Sequence, residues 1–240
     1  MLHAGGKFDK KAYQVSGGLH GVGASVVNAL SEWMVVEVHQ SGKVHQQRYA
    51  RGETKTDLEI IGDTDTHGTI VHFKPDAEIF ETVEYKWEMI AHRLRELAFL
   101  NKGLEIIVRD HRTERHETYL FEGGVVEFVT FLNEGRIPLH PEPIYLEGER
   151  DGIGIQIAMQ YNDSYQETVF TYANNIKTVE GGTHLVGFRA ALTATLNTYS
   201  TREELLKNVK FALAGEDTRE GQTAVVSVNV PEPQFEGQTK

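Results

Sequence analysis

The sequence has 240 residues, long enough for one large or two ordinary domains, and its 40% apolar and 25% charged residues are ordinary for a globular protein. It has no cysteine, which excludes disulfides and zinc–thiolate sites and suits a reducing cytoplasm. No run approaches the roughly 18 apolar residues of a membrane helix. A formal net charge of −11 argues against a generic nucleic-acid coat, because phosphate binding needs clustered Lys and Arg.

The first half of the chain alternates helical and strand-like patterns. Apolar residues at i, i+3 and i+4 predict helices, and strict alternation predicts strands. In chain order we predict a helix over 22–32, strands over 34–39, 43–49 and 69–73, a helix over 84–101 and strands over 104–109 and 117–121. Ser41-Gly42 joins the first two strands as a hairpin turn.

The second half follows a natural break at Glu122-Gly123-Gly124 and shows the same mixture. We predict a helix over 125–132, a proline-bearing loop, strands over 152–161 and 167–172, a helix over 183–200 and a last strand over 223–230. The fold class is therefore α+β. We place a domain boundary at the break, giving domains over 1–123 and 124–240.

The strongest local signal is the stretch Gly17–Gly23, with four glycines in seven residues directly before a predicted helix. Glycines allow positive φ angles and close backbone approach, while the helix N-terminus presents free N–H groups and a positive dipole end. Together they form an anion site, and phosphate is its usual occupant. By itself the pattern is equally compatible with a tight turn before a helix.

Two familiar phosphate loops do not match this stretch. The Walker loop closes with Gly-Lys-Ser or Gly-Lys-Thr, and neither tripeptide occurs in the chain. The dinucleotide fingerprint needs a preceding apolar strand and the order G-x-G-x-x-G. Here the order is Gly18-x-x-Gly21-x-Gly23, after the polar segment Lys10–Ser16. A phosphate loop of another class remains.

The residues around the loop resemble one family closely. The segments His3–Asp9, Ser16–Gly23 and Ser25–Ser31, with Tyr13 between them, resemble the ATP-lid and following helix of the DNA gyrase B family, the ATPase subunits of bacterial type IIA topoisomerases. Further motifs match in order along the whole chain: His67–Thr69, Arg93–Leu97, Phe99–Asn101, Asp151–Gly154, Asn174–Ile176, Gly181–Leu185, Gly187–Arg189, Glu216–Gly221 and Gly237–Lys240.

The resemblance implies an architecture of two parts. Residues 1–123 are similar to the C-terminal part of a Bergerat-type (GHKL) ATPase domain, from the ATP-lid onward. Residues 124–240 are similar to a partial transducer domain of mixed sheet and helices, which passes the nucleotide state to the DNA-cleaving parts of these enzymes.

The resemblance also implies an ATP site. The cofactor-binding residues that match the family's motifs are Lys7, Tyr13, Gly18, Leu19, His20, Gly21, Val22, Gly23, Ser25 and Thr69. Thr69 resembles the residue of the water-mediated adenine network, although without the family it reads as an ordinary strand threonine. Lys240 resembles the transducer lysine that reaches the γ-phosphate, and Gln238 its companion. Without the family, Lys240 reads as a solvated terminal lysine.

Other functional groups of the family precede the lid. They are the general-base glutamate, the asparagine that binds Mg²⁺ and the aspartate that reads adenine, so we expect no metal ligand here and no hydrolysis by this chain alone. One departure is visible in the first hairpin. The family commonly has an arginine at the pocket edge where this chain has Gln40.

The resemblance implies a cytoplasmic ATP-hydrolysing topoisomerase that couples ATP hydrolysis, with Mg²⁺, to double-strand passage and negative supercoiling. Its expected partners are DNA, the gyrase A subunit and a second copy of the ATPase subunit, in an A2B2 heterotetramer without a membrane. The alternatives are the ATPase subunit of topoisomerase IV, a chaperone or mismatch-repair ATPase with the same lid, and a folded remnant that binds no nucleotide. Arg189 faces either solvent or the DNA cavity of such dimers.

Overall fold

The computed structural model describes residues 22–207, 212–231 and 233–235. Within these ranges the contacts divide the chain into two compact units, one ending at Lys86 and the other beginning at Trp87. No helix of the described residues is long and apolar enough to cross a bilayer. The mixture of helices and sheets confirms the predicted α+β class.

The first unit is an antiparallel sheet with one short helix. Its elements are α1 (Gly23–Ala29), β1 (Ser31–Gln40), β2 (Lys43–Ala50), β3 (Glu53–Thr54), β4 (Glu59–Asp63) and β5 (Gly68–Pro75). The strand order is β3-β2-β1-β5, and β4 also pairs with β2. β1 therefore lies between β2 and β5, and α1 packs on β1 and β2.

The second unit is built around another five-stranded sheet. Its elements are α2 (Trp87–Leu100), β6 (Ile106–Asp110), β7 (Arg115–Tyr119), α3 (Val125–Leu132), β8 (Ile144–Arg150), β9 (Ile153–Tyr161), β10 (Thr168–Ala173), β11 (Ile176–Lys177), α4 (Thr183–Arg202) and β12 (Gln222–Asn229). The strand order is β11-β10-β12-β9-β8, while β6 and β7 form a separate ribbon. β12 runs parallel to β10 and antiparallel to β9.

Successive side chains of β12 enter two different cores, as expected for a central strand. Val225 belongs to one core, together with α2 and α3 residues such as Phe99 and Phe128. Ala224 and Val226 belong to the other, together with Phe188 of α4. Because both faces are covered, the strand is an unbroken apolar run at its centre.

Tight turns with two left-handed residues join several strand pairs. The pairs are Ser41 (φ 54°) with Gly42 (φ 79°), Arg51 (48°) with Gly52 (83°), Asp151 (54°) with Gly152 (75°) and Asn174 (49°) with Asn175 (63°). Positive φ at both central residues gives the turn the twist of the flanking strands. The hairpin predicted at Ser41-Gly42 is confirmed.

The segment just before the predicted domain boundary packs with the second unit. Phe99 of α2 stacks on Phe121 with ring centroids 3.6 Å apart, and on Phe128 of α3 at 4.7 Å. The packing units thus divide between Lys86 and Trp87. The domain boundary between 123 and 124 stays a prediction.

Candidate nucleotide site

Most residues of the predicted ATP site lie outside the described part of the chain. These are Lys7, Tyr13, Gly18, Leu19, His20, Gly21, Gln238 and Lys240. Val22, Gly23 and Ser25, at the start of α1, and Thr69, on β5, lie inside it. The geometry of the site can therefore be built from the helix start and from one face of the first sheet.

The N-terminus of α1 carries no side-chain cap. Val22 is the N-cap residue, and its carbonyl accepts the first intrahelical hydrogen bond from the Val26 amide at 2.9 Å. The amides of the first turn have no intrahelical acceptors. There is no acidic residue in that turn, and Ser25 is exposed. This helix start is thus compatible with an approaching anion.

Gly23 corrects one expectation from the sequence. We expected the glycines of the loop to provide positive φ angles, but Gly23 is the first helical residue of α1. A Cβ added to it would meet no atom of the described residues within 4 Å. Packing within the described part of the chain therefore does not require glycine here.

The C-terminal end of α1 is anchored on the first sheet. Ser31 Oγ donates to the Val27 carbonyl at 2.6 Å, and the Gly52 amide donates to the Asn28 carbonyl at 3.2 Å. A Cβ at Gly52 would lie 3.4 Å from Ala29 Cα. The β2–β3 turn therefore approaches the helix closely and holds its position against the sheet.

Thr69 and Gln40 lie on the same face of this sheet. Thr69 is paired with Val38 of β1, and Gln40 follows Val38 by two residues on the same strand. Residues at this spacing point to one face and are diagonal neighbours, roughly 7–8 Å apart between Cα atoms. Both side chains are exposed. The structure thus brings together the residue of the predicted adenine network and the residue that departs from the family.

A buried carboxylate connects α2 to the second sheet. Glu96 is 4% exposed, and it accepts hydrogen bonds from Arg93 Nη1 at 3.0 Å, Tyr172 Oη at 3.0 Å and Lys177 Nζ at 3.2 Å. Burial opposes ionisation of Glu96, but the donors outweigh it and hold its pKa below the usual range. Burial raises the pKa of Tyr172, which remains a hydrogen-bond donor.

Arg189 is held by an acidic neighbour. Its Nε and Nη2 atoms donate to the two oxygens of Glu167 at 2.9 and 2.7 Å, and its side chain is 38% exposed. Arg219 Nε lies 3.4 Å from the same carboxylate. Arg189 is therefore fixed by a carboxylate that it shares with a second arginine.

The structure joins three motifs that lie apart in the sequence: Arg93–Leu97, Phe99–Asn101 and Asn174–Ile176. Arg93 Nη2 donates to the Asn175 carbonyl at 2.7 Å, and Asn175 Nδ2 donates to Asn101 Oδ1 at 2.9 Å. Asn174, beside it, contacts the end of β12. The only signal in the sequence was the adjacency of two asparagines, which is typical of left-handed turn residues.

Solved structures with the same fold are ATPase domains. The 43K ATPase domain of Thermus thermophilus gyrase B, in complex with an aminocoumarin, has a TM-score of 0.81 and 41% identity, covering 90% of this chain and 60% of that one. The topoisomerase IV ATP-binding domain of Francisella tularensis has a TM-score of 0.76 and 28% identity, covering 100% and 62%. The fold is therefore that of part of the ATPase domain of type II DNA topoisomerases.

Sequence comparison points to one family within this class of ATPase domains. Residues 124–240 match the model of the family described as DNA gyrase B. The DNA gyrase B subunit of Halalkalibacterium halodurans is 54% identical over 100% of this chain. The chain is therefore similar to the DNA gyrase B family over its whole length. It spans 38% of the length of that relative.

Proposed function

We propose that this chain is part of the ATP-binding region of a DNA gyrase B subunit, which couples ATP hydrolysis to double-strand DNA passage and negative supercoiling. The observation that supports this most is the 54% identity to a DNA gyrase B subunit over the whole chain, which includes the glycine-rich loop.

Each site residue has a role in this proposal. Backbone groups of 18–23 wrap the triphosphate, Lys7 and Ser25 add polar contacts, Tyr13 lies near the adenosine and Thr69 joins the adenine network. Lys240, with Gln238, contacts the γ-phosphate. A fixed positive charge there stabilises the charge that develops as the phosphoryl group leaves. Mg²⁺ accompanies ATP, and its asparagine ligand precedes the lid.

The proposed partners are those of the whole enzyme. They are DNA, the gyrase A subunit and a second copy of the gyrase B subunit, in a cytoplasmic A2B2 assembly. The charge of −11 makes a broad DNA-binding surface on this chain unfavourable. DNA contacts are therefore expected from local patches or from other parts of the enzyme.

A second candidate is the ATPase subunit of topoisomerase IV. It is favoured by the similarity to the Francisella tularensis ATP-binding domain, which covers 100% of this chain. The complete subunit, reconstituted with its partner subunit, distinguishes the two. ATP-dependent negative supercoiling of relaxed plasmid supports gyrase, whereas decatenation without supercoiling supports topoisomerase IV.

The Lys240 role is tested by Lys240→Ala in the complete subunit. We expect the turnover number for ATP to fall by roughly 10²–10³, because one transition-state stabiliser is lost. The dissociation constant for a non-hydrolysable ATP analogue should change little. Lys207→Ala removes an exposed lysine elsewhere in the chain and serves as the control. Turnover within a few-fold of wild type would make Lys240 an ordinary surface lysine.

A further inference from the structure

Among the described residues, a groove lies on one face of the first sheet, across β1, β2 and β5. Its volume is about 440 Å³, which is in the range of pockets that hold small organic molecules. Its lining is mostly apolar and belongs entirely to the first unit. The lining includes Trp33, Val35, Arg48, Ala50, Lys55 and His72.

The register of the strands places the groove on the face away from the predicted adenine pocket. Val35 of β1 is paired with Arg48 of β2 and with His72 of β5. Directly opposite residues of an antiparallel sheet share a face, and Trp33 shares it too because it precedes Val35 by two residues. Gln40 follows Val35 by an odd number of residues and therefore points to the other face.

Trp33 gives the groove an aromatic surface that is held in place by His72. The two rings are nearly perpendicular, at 88°, and their centroids are 4.8 Å apart, which is a favourable geometry for an aromatic pair. Val35 and Ala50 add aliphatic carbon atoms to the lining. A flat aromatic ring in the groove would therefore leave water for contact with an indole and with aliphatic groups.

Arg48 brings a positive charge to the same groove. Its Nε atom donates to Gln46 Oε1 at 3.0 Å, and the buried Gln46 in turn donates to Glu37 Oε1 at 2.7 Å. Among the described residues Arg48 forms no ion pair, so its two Nη groups stay available. A guanidinium oriented in this way can donate two parallel, charge-assisted hydrogen bonds to a carboxylate.

Lys55 adds a second positive charge beside Arg48. Its backbone amide donates to the Arg48 carbonyl at 2.8 Å, which keeps the two residues adjacent. Its ammonium group pairs with Glu53 at 2.6 Å, but no acidic residue of the described part of the chain lines the groove. In a chain with a net charge of −11 this lining is a local exception, and it favours an anion.

We propose that this groove is a binding site for a small planar aromatic carboxylate. The ring of the ligand lies against Trp33 and the aliphatic side chains, and its carboxylate accepts paired hydrogen bonds from the Nη groups of Arg48. The site goes beyond the proposed nucleotide function, because Thr69 and Gln40 lie on the other face of the sheet.

The chain has two tryptophans, Trp33 and Trp87, and they provide the readout. Each gives one indole N–H signal in a nitrogen–proton NMR correlation spectrum, and the Trp87→Phe variant identifies the signal of Trp33. Cinnamate should shift the Trp33 signal and leave the Trp87 signal unchanged, with a dissociation constant of about 1 mM or lower. An unchanged Trp33 signal at concentrations well above that value would overturn the proposal.

Cinnamamide, a neutral molecule of nearly the same shape, tests the role of the carboxylate without any change to the protein. We expect it to bind at least about tenfold more weakly than cinnamate, because it cannot form charge-assisted hydrogen bonds with Arg48. Arg48→Gln should weaken cinnamate binding by a similar factor. Arg150→Gln removes an exposed arginine from the second unit and is the matched control, which should bind cinnamate as the wild type does.

Other results would contradict this assignment. Equal affinities for cinnamate and cinnamamide would show that the groove does not recognise an anion. Wild-type cinnamate affinity in Arg48→Gln would remove Arg48 from the site. A larger shift of the Trp33 signal with oligothymidylate than with cinnamate would assign the groove to single-stranded nucleic acid, which also combines stacking with positive charge. If Arg48→Gln does not fold, the comparison of the two small molecules on the wild type still decides.

Discussion

Gln40 is the exposed last residue of β1, opposite Lys43 across the first hairpin. The family resemblance implies that it stands where an arginine commonly lies at the edge of the adenine pocket, and we expect aminocoumarins to anchor on that arginine. A guanidinium can donate paired, charge-assisted hydrogen bonds to a planar acceptor, whereas a glutamine amide is a shorter, neutral donor. We therefore expect Gln40→Arg to increase aminocoumarin affinity of the complete enzyme about tenfold, with ATP affinity little changed.

Inhibition constants of the wild type and the variant measure this effect. Gln40→Lys is the matched control, because it adds a positive charge without a planar guanidinium. Its aminocoumarin affinity should therefore increase less than that of Gln40→Arg. Equal constants for all three proteins would mean that another residue supplies the contact, or that the hairpin does not align with the family as proposed.

Glu96 offers a prediction about stability and pH. Glu96→Gln leaves the donors of Arg93 and Lys177 facing an amide, and it should lower the free energy of unfolding of this chain by about 2 kcal/mol at pH 7. The pKa of Glu96 is depressed in the folded state from its ordinary value of 4.5. Its stabilisation is thus present above pH 4.5 and is lost as the pH falls through the folded-state pKa.

Denaturant titrations at neutral and acidic pH measure this difference. The difference in free energy of unfolding between the wild type and Glu96→Gln should become smaller at acidic pH. Glu134→Gln, at an exposed position, should have the same free energy of unfolding as the wild type at every pH. A gap that stayed constant with pH would show that the ionised carboxylate is not the stabilising group.

At the level of elements, a substitution at the start of α1 can test contact with ATP separately from an effect on folding. No described residue has an atom within 4 Å of a Cβ added to Gly23, so Gly23→Ala should fold normally and favour the helix slightly. If the lid of the complete subunit holds phosphate there, the added methyl group should nevertheless lower its ATP affinity at least about tenfold, because it blocks backbone approach. Isothermal titration calorimetry measures the affinity.

Gly187 supplies the control for this prediction. It lies inside α4, and a Cβ added to it also meets nothing within 4 Å. Gly187→Ala should therefore resemble Gly23→Ala in stability but bind ATP normally. Unchanged ATP affinity in Gly23→Ala would remove Gly23 from the site.

The helices and the central strands could be predicted from the sequence, and several edge elements could not. α2, α3 and β12 have clear apolar patterns and α4 a weak one, and the structure has each of the four within a few residues of its predicted bounds. β8 is exposed along its whole length, and its acidic second half resembles a loop in the sequence. It is a strand because it pairs with β9, and a single sequence does not show that long-range partner.

The candidate site residues also differ in how far the sequence alone predicts them. The glycine-rich loop and the helix behind it carry a local signal for phosphate, but Thr69, Gln238 and Lys240 carry none and depend on the family resemblance. The link from Asn174 to Val230 was not predictable, because its hydrogen bonds join segments far apart in the chain.

The central place of β12 also has a mechanical consequence. Its ladders join β10 on one edge and β9 on the other, so a pull on Val230 along the strand loads both ladders at the same time. The ladder bonds to β9 lie across the direction of that pull, and they must shear together instead of opening one after another. The sheet should therefore behave as one rigid unit, so that a force applied at the end of β12 displaces both β10 and β9.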